Sequence, residues 1–324
     1  MVDFPPSKLV SLPGPQGQPE ISLAVHEQGD GPAVVFCHGF PELAYSWRHQ
    51  LPAVAAAGFR AIAPDQRGYG GSTCPERIED YSLTHLTADM AGLLDALEID
   101  KAVFVGHDWG GFVAWAMPLL HPERTAGVVG VCTPYVGIPA TQIMRDAVGG
   151  EDDRYYILWF QTPGVAEDFL DRRVRLVFDK LLRGGADPAE LAESFTVDGK
   201  PDMNPFKRIE EIASMGETFA SDRELDIYVA SFERTGFRGG INWYRNIDRN
   251  AAAHPELGNK KLDLPCLMLT AEWDVALRPE MAAGMRAVCS DLEMHMIEKA
   301  GHWVQQECPE TVNQHLVKWL ERRF

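Results

Sequence analysis

Asp108 stands where a short apolar run turns into a helix-like stretch, and a carboxylate in that place can act as a nucleophile. The run is Ala102–Val105, the turn is Gly106-His107-Asp108-Trp109-Gly110-Gly111, and the helix-like stretch runs from Phe112 to Leu120. Small residues on both sides suit such a turn, because its backbone is strained and strand and helix approach closely. A serine at the apex would attack a carbonyl carbon. A carboxylate is suited to displacing a leaving group from saturated carbon, leaving an ester on the enzyme.

Two more residues have the type and place to complete that chemistry. Asp274 follows the run Leu264–Ala271 in Thr-Ala-Glu-Trp-Asp, and His302 follows Leu292–Glu298 in Ala-Gly-His-Trp. A lone Asp or His after a strand is ordinarily a cap or a surface residue. Here the order is nucleophile, acid, histidine, each at the C-terminal end of a predicted strand. His302 would be the general base and Asp274 its orienting partner. His38-Gly39-Phe40-Pro41 follows the run Ala33–Cys37, a place for a backbone N–H that holds an oxyanion; the bland alternative is a Gly-Pro loop. The Phe40–Pro41 bond is a candidate for cis, since an X–Pro bond is where cis is cheap. His38 and His107 read as packed residues, not reactive ones. The other histidines lack ligand spacing, so no metal site is expected. The segment Asp65–Ser72 is glycine-rich but lacks the Lys-Ser/Thr of a phosphate loop, and reads as structural.

These residues need a frame. Apolar strand candidates at Ile21–Glu27, Ala33–Cys37, Arg60–Pro64, Ala102–Val105, Ala126–Cys132, Leu264–Ala271 and Leu292–Glu298 alternate with helical periods. Leu83, Leu86, Met90, Leu93, Leu94 and Leu97 make one apolar stripe; Val312, Leu316, Trp319 and Leu320 make another. The later strands lack strict alternation, as in a parallel sheet covered on both faces. The expected class is therefore α/β, with a mostly parallel, doubly wound sheet. Between about Tyr135 and Arg249 the strand signals vanish. Periods at Val165, Phe169, Val177 and Leu181, stopped by Gly184-Gly185, and at Leu225, Tyr228, Val229 and Phe232, stopped by Gly236, predict a helical insertion. Inserted there, it would roof the C-terminal ends of the strands.

Composition narrows the partners. The chain has 324 residues, 45% hydrophobic, and a net charge of −17. Nucleic acid, whose phosphates would be repelled, is not an expected partner. The six cysteines form no C-x-x-C, and Cys37, Cys132 and Cys266 read as small buried hydrophobes. No apolar run approaches a membrane span, and a cytoplasmic setting is the default. A monomer or homodimer is expected.

Two aromatic segments lie in the insertion: Tyr155-Tyr156-Ile157-Leu158-Trp159-Phe160-Gln161 and Asn242-Trp243-Tyr244-Arg245-Asn246. With them the chain resembles, over nearly its full length, the soluble epoxide hydrolases of the α/β-hydrolase superfamily. The residues that carry the resemblance are His38-Gly39-Phe40-Pro41-Glu42, Gly106-His107-Asp108-Trp109-Gly110, Tyr156, Gly239–Asn246, Thr270–Asp274 and Gly301-His302-Trp303. The resemblance implies an α/β-hydrolase fold with a helical cap: core over 1–136 and 250–324, cap over 137–249. It implies that Tyr156 and Tyr244 donate hydrogen bonds to an epoxide oxygen as Asp108 opens the ring, with Tyr155 a neighbour competing for the first role. His302, oriented by Asp274, would then activate water against the Asp108 ester, and the N–H groups of Phe40 and Trp109 would hold the oxyanion. Phe40, Pro41 and Trp109 would touch the substrate, a small apolar epoxide, and no cofactor would be required. The competing readings are a haloalkane dehalogenase, which shares the aspartate but has no use for two tyrosines, and a non-catalytic binding protein on the same fold.

Overall fold

The computed structural model describes residues 4–12, 20–186, 188–189, 191, 195–214 and 216–324. Eight strands form the main sheet: β1 (Lys8–Ser11), β2 (Ser22–Gln28), β3 (Ala33–Cys37), β4 (Arg60–Pro64), β5 (Ala102–His107), β6 (Thr125–Val131), β7 (Leu262–Ala271) and β8 (Cys289–Ile297). Their spatial order is β1-β2-β4-β3-β5-β6-β7-β8. β2 runs antiparallel to both β1 and β4. All other neighbours are parallel. Winding goes from β3 to β4 on one side and on to β5 on the other, so the switch point lies between β3 and β5. Ligands in open parallel sheets bind in the crevice at such a point.

Alternate residues of each strand enter opposite layers. Val34, Phe36, Val103 and Val105 pack with Trp47, Leu51, Leu316 and Trp319, under the helices Gln50–Ala56 and Pro309–Arg323. Val35, Cys37 and Phe104 pack with Met90, Leu93 and Val113, under the helices Leu83–Ala96 and Trp109–Leu120. Each large apolar side chain buried this way contributes about 1.5–3 kcal/mol. This two-sided cover is why central strands such as β3 and β5 read as unbroken apolar runs and not as alternating ones. Both predicted helical stripes lie in the core, with Leu97 only partly buried at the end of its helix.

Ala33–Cys37 and Arg60–Pro64 form with the expected ends, and the ends of the other expected strands shift by at most three residues. β1 was not anticipated: its four residues are exposed or half-buried, so no apolar pattern marks them. Asp65 fixes the glycine-rich loop by accepting from the Ala44 N–H at 3.0 Å and the Gly71 N–H at 3.1 Å. Among the described residues no helix is long and apolar enough to cross a membrane.

Between β6 and β7 the chain is chiefly helical, with Thr141–Ala147, Tyr156–Trp159, Val165–Leu170, Val174–Leu181, Asp222–Thr235, Arg238–Tyr244 and Ile247–Ala253. Strand is not wholly absent, contrary to expectation. Arg183–Gly184 pairs with Glu217–Thr218, and Thr196–Val197 with Lys200–Pro201. Pairs of two residues are too short to leave a period in the sequence. The single period expected from Val165 to Leu181 is two helices. The longest helix here, Asp222–Thr235, opens on a capping box of Ser221 and Glu224 and closes at Gly236, whose φ of 67° suits glycine.

Candidate functional site

β5 delivers Asp108 at the switch point with φ 50° and ψ −122°. For a non-glycine residue that geometry costs about 1–3 kcal/mol and must be held by its surroundings. Thr133 Oγ1 donates to the Asp108 carbonyl at 2.7 Å. The flanking glycines let backbone through: a Cβ on Gly106 would lie 2.1 Å from the Gly110 carbonyl oxygen, and one on Gly110 2.0 Å from that of Cys37. The small residues around the elbow are thus required by contact. Thr133, beyond β6, gave no signal in the sequence.

The carboxylate faces three groups. Its Oδ1 accepts from the Phe40 N–H at 2.8 Å, and the Trp109 N–H also bonds the carboxylate. Its Oδ2 lies 3.8 Å from His302 Nε2. That gap is too long for a direct hydrogen bond and leaves Nε2 able to take a proton from a water beside the carboxyl carbon. His302 Nδ1 is 2.9 Å from Asp274 Oδ2. The other oxygen of Asp274 accepts from the N–H groups of Ala276 and Leu277, each at 2.9 Å. The Phe40–Pro41 peptide is cis.

Behind the triad lies a second chain of groups. Glu42 accepts from the Gly39 N–H at 2.8 Å and pairs with His107 Nδ1 at 2.7 Å. His107 Nε2 donates to the His302 carbonyl at 2.7 Å. His107 is therefore packed, as its sequence context suggested, but packed against the backbone of His302. His38 likewise accepts the Gln66 N–H at 3.0 Å. Glu42 stands inside the quoted motif, yet nothing in the sequence says that it is wholly buried. His107, Cys132 and His302 cluster closely enough to suggest a metal site, but both ring nitrogens of His107 are engaged.

These contacts set the charges. Burial would raise the Asp274 carboxyl, but His302 and the two N–H groups outweigh it and hold it down to about 2. Glu42 is likewise held down to about 2, burial being outweighed by His107 and the Gly39 N–H. For His302 burial pulls downward, but Asp274 and Asp108 prevail and raise it to about 9. Asp108 itself is pushed up by burial, against the pull of His302, His107 and the Phe40 and Trp109 N–H groups.

The insertion supplies the opposite wall. Tyr156 opens the helix Tyr156–Trp159 and Tyr244 closes the helix Arg238–Tyr244. Their ring centroids are 5.6 Å apart and their hydroxyls are hydrogen-bond partners. Gln161 ties the two segments by donating to the Tyr244 carbonyl at 3.1 Å. Trp243 Nε1 donates to the Arg67 carbonyl at 3.3 Å and Asn246 to that of Ile78 at 2.6 Å, which anchors this wall to the sheet domain. Burial, with Asp108 nearby, raises both phenols well above the usual tyrosine range. They stay protonated and able to donate.

A cavity of about 220 Å³ lies between the walls, lined by Asp108, His302, Tyr156, Tyr244, Phe40, Pro41, Met203 and Phe206 among others. Tyr155 also lines it, with its ring 5.6 Å from that of Tyr156. The Trp109 side chain, expected against substrate, is not part of the lining. Its indole is covered by Phe112 and Tyr244.

A strained carboxylate elbow at the switch point, with a His–Asp pair delivered from β8 and β7, is the arrangement of an α/β-hydrolase with an aspartate in the nucleophile's place. The alpha/beta hydrolase fold family matches residues 32–309. Epoxide hydrolase A of Mycobacterium tuberculosis is 41% identical over 308 residues, 93% of this chain and 94% of that protein. The crystal structure of Epoxide Hydrolase A from Mycobacterium thermoresistibile superposes with a TM-score of 0.85 at 41% identity, covering 98% of each chain. The rat Bifunctional epoxide hydrolase 2 is 39% identical over 94% of this chain, which spans 54% of that longer protein. The chain belongs to the epoxide hydrolases of the α/β-hydrolase superfamily.

Proposed function

We propose that this enzyme adds water to a small apolar epoxide to give a vicinal diol, through an ester on Asp108. The observation that carries the assignment is one cavity with a carboxylate on its floor and two protonated phenols on its roof. Oδ1 of Asp108, held by the Phe40 N–H, stays the carbonyl oxygen, and Oδ2 attacks an epoxide carbon. The C–O bond breaks, and Tyr156 and Tyr244 donate to the oxygen as charge develops on it. His302 next takes a proton from water, which attacks the ester carbonyl carbon. The oxyanion forms at Oδ1, where the Phe40 N–H already points and with the Trp109 N–H beside the same carboxylate; such donors are worth about 3 kcal/mol each. The diol leaves and the Asp108 carboxylate is restored. A halide leaves without a proton, so a dehalogenase would have no use for the roof. The division into a core of 1–136 and 250–324 and a cap of 137–249 is supported by the main sheet, which stops at Val131 and resumes at Leu262.

The test is His302→Gln. It should form the ester but not hydrolyse it, and intact-protein mass spectrometry should show an adduct one substrate mass heavier. Only the free mass under excess epoxide, in a folded variant, would sink the role.

The charges add a pH prediction. His302 is raised to about 9 partly by the Asp108 charge, and that charge vanishes on esterification. The imidazole must then titrate lower in the ester than in the free enzyme. Hydrolysis needs it neutral, so ester decay should rise with pH through an apparent pKa below that of free His302. The check compares the pH profile of single-turnover decay with an NMR titration of the free enzyme. Coincident values would show that Asp108 does not govern the base.

A further inference from the structure

One carboxylate beside the site has no part in the chemistry above. Glu307 closes the one-turn helix Val304–Glu307, and its side chain folds back over the loop that carries His302. Oε2 accepts from the Gly301 N–H at 2.8 Å and Oε1 from the Trp303 N–H at 2.9 Å. These are the two neighbours of the base. The same Oε2 reaches across to the cap and accepts from the Gly185 N–H at 3.2 Å. Gly184 lies against it so closely that a Cβ there would sit 2.3 Å from the Glu307 carboxyl carbon. A second tie runs in parallel: Trp303 Nε1 donates to the Leu181 carbonyl at 2.6 Å. Leu181, Gly184, Gly185 and His302 all line the cavity.

We propose that Glu307 is a positioning residue that latches the cap segment Leu181–Gly185 to the His302 loop, so that a seated cap edge and a correctly held base are a single state. A residue that merely capped the one-turn helix would need only the Trp303 N–H. The bonds to Gly301 and to Gly185 go beyond that. The tyrosine-bearing part of the cap is anchored elsewhere, through Trp243 and Asn246. Breaking the latch therefore disturbs the base and spares the roof. The inference rests on the proposed ester at Asp108 and its hydrolysis through His302.

The experiment is rapid-quench kinetics on the full chain with a styrene-type epoxide, resolving ester formation from ester decay. Glu307→Gln keeps the shape but puts an amide NH₂ toward an N–H. Gly184→Ala pushes the carboxylate aside from the cap and leaves Glu307 in place. Each should slow ester decay about tenfold, the scale of one lost charge-assisted hydrogen bond, with ester formation within about twofold of wild type. In steady state kcat and KM should fall together with kcat/KM nearly unchanged. The double variant should be about as slow as the slower single one, because both lesions open one contact. Equal losses in both steps, wild-type decay in Gly184→Ala, or independent multiplying effects would each overturn the latch. If Glu307→Gln does not fold, Gly184→Ala carries the test alone. A wild-type enzyme that turns over epoxide without any ester would remove the proposed mechanism itself, an outcome separate from an ester that decays normally in the variants.

Discussion

Replacing Asp108 with alanine should leave a folded protein that binds epoxide and turns over none. Alanine takes away both the attacking oxygen and the acyl carbon on which water later acts, so neither half of the reaction survives. A loss of about 10⁴-fold or more is the scale expected when the nucleophile of a covalent mechanism is removed. The backbone is a confounder. Asp108 holds a positive φ, which alanine tolerates less well than aspartate, so thermal stability must be measured alongside. The mechanism also fixes where oxygen atoms go. In a single turnover in oxygen-18 water, the first diol should carry the unlabelled Asp108 oxygen, while the label stays on the carboxylate. Label found directly in first-turnover diol would mean that water attacks the epoxide, and the covalent route would be wrong.

The split between what was and was not legible follows from what a sequence pattern encodes. Asp108 was visible because the elbow needs glycines at fixed offsets, and the clashes at Gly106 and Gly110 give the reason. Asp274 was visible because β7 ends in a long apolar run, and His302 because it follows the Leu/Met-rich edge strand β8, whose C-terminal end points to the same crevice. Nothing local shows what Thr133, Glu42 or Glu307 does, even though Glu42 stands in a motif that carries the resemblance. Each acts through a contact distant in sequence: Thr133 on the Asp108 carbonyl, Glu42 on His107, Glu307 on Gly185. The short strand pairs of the cap were missed because two residues cannot show a period. Tyr156 and Tyr244 came from resemblance, not from spacing, since an amphipathic aromatic helix has the same pattern whether its tyrosine faces core or cavity. Tyr155 shows the limit: it lines the cavity too, and what separates it from Tyr156 is the contact of the Tyr156 ring with Tyr244, which no sequence pattern shows.

The roof supplies the remaining large effect. Tyr156→Phe and Tyr244→Phe should each slow ester formation, and the double variant should be nearly inactive. Phenylalanine keeps the ring, so the contacts of Tyr244 with Phe40, Phe160 and Trp109 survive and only the hydroxyl is lost. The epoxide oxygen is a poor leaving group, and its developing charge then has no donor. General-acid contributions of about 10²–10⁴ set the expected loss for the pair. The two single variants should not match the double, because the hydroxyls are near enough for one to cover in part for the other. Hydrolysis of a preformed ester should be almost unaffected, since that step runs between Asp108, His302 and water on the floor of the cavity. Trp109 and Trp303 flank the site, at 5.2 Å from Tyr244 and 4.8 Å from His302 between ring centroids, so stopped-flow tryptophan fluorescence can follow ester formation directly. If burial were the tyrosines' whole role, both variants would alkylate at the wild-type rate with only the melting temperature changed, and the roof would be packing and no acid.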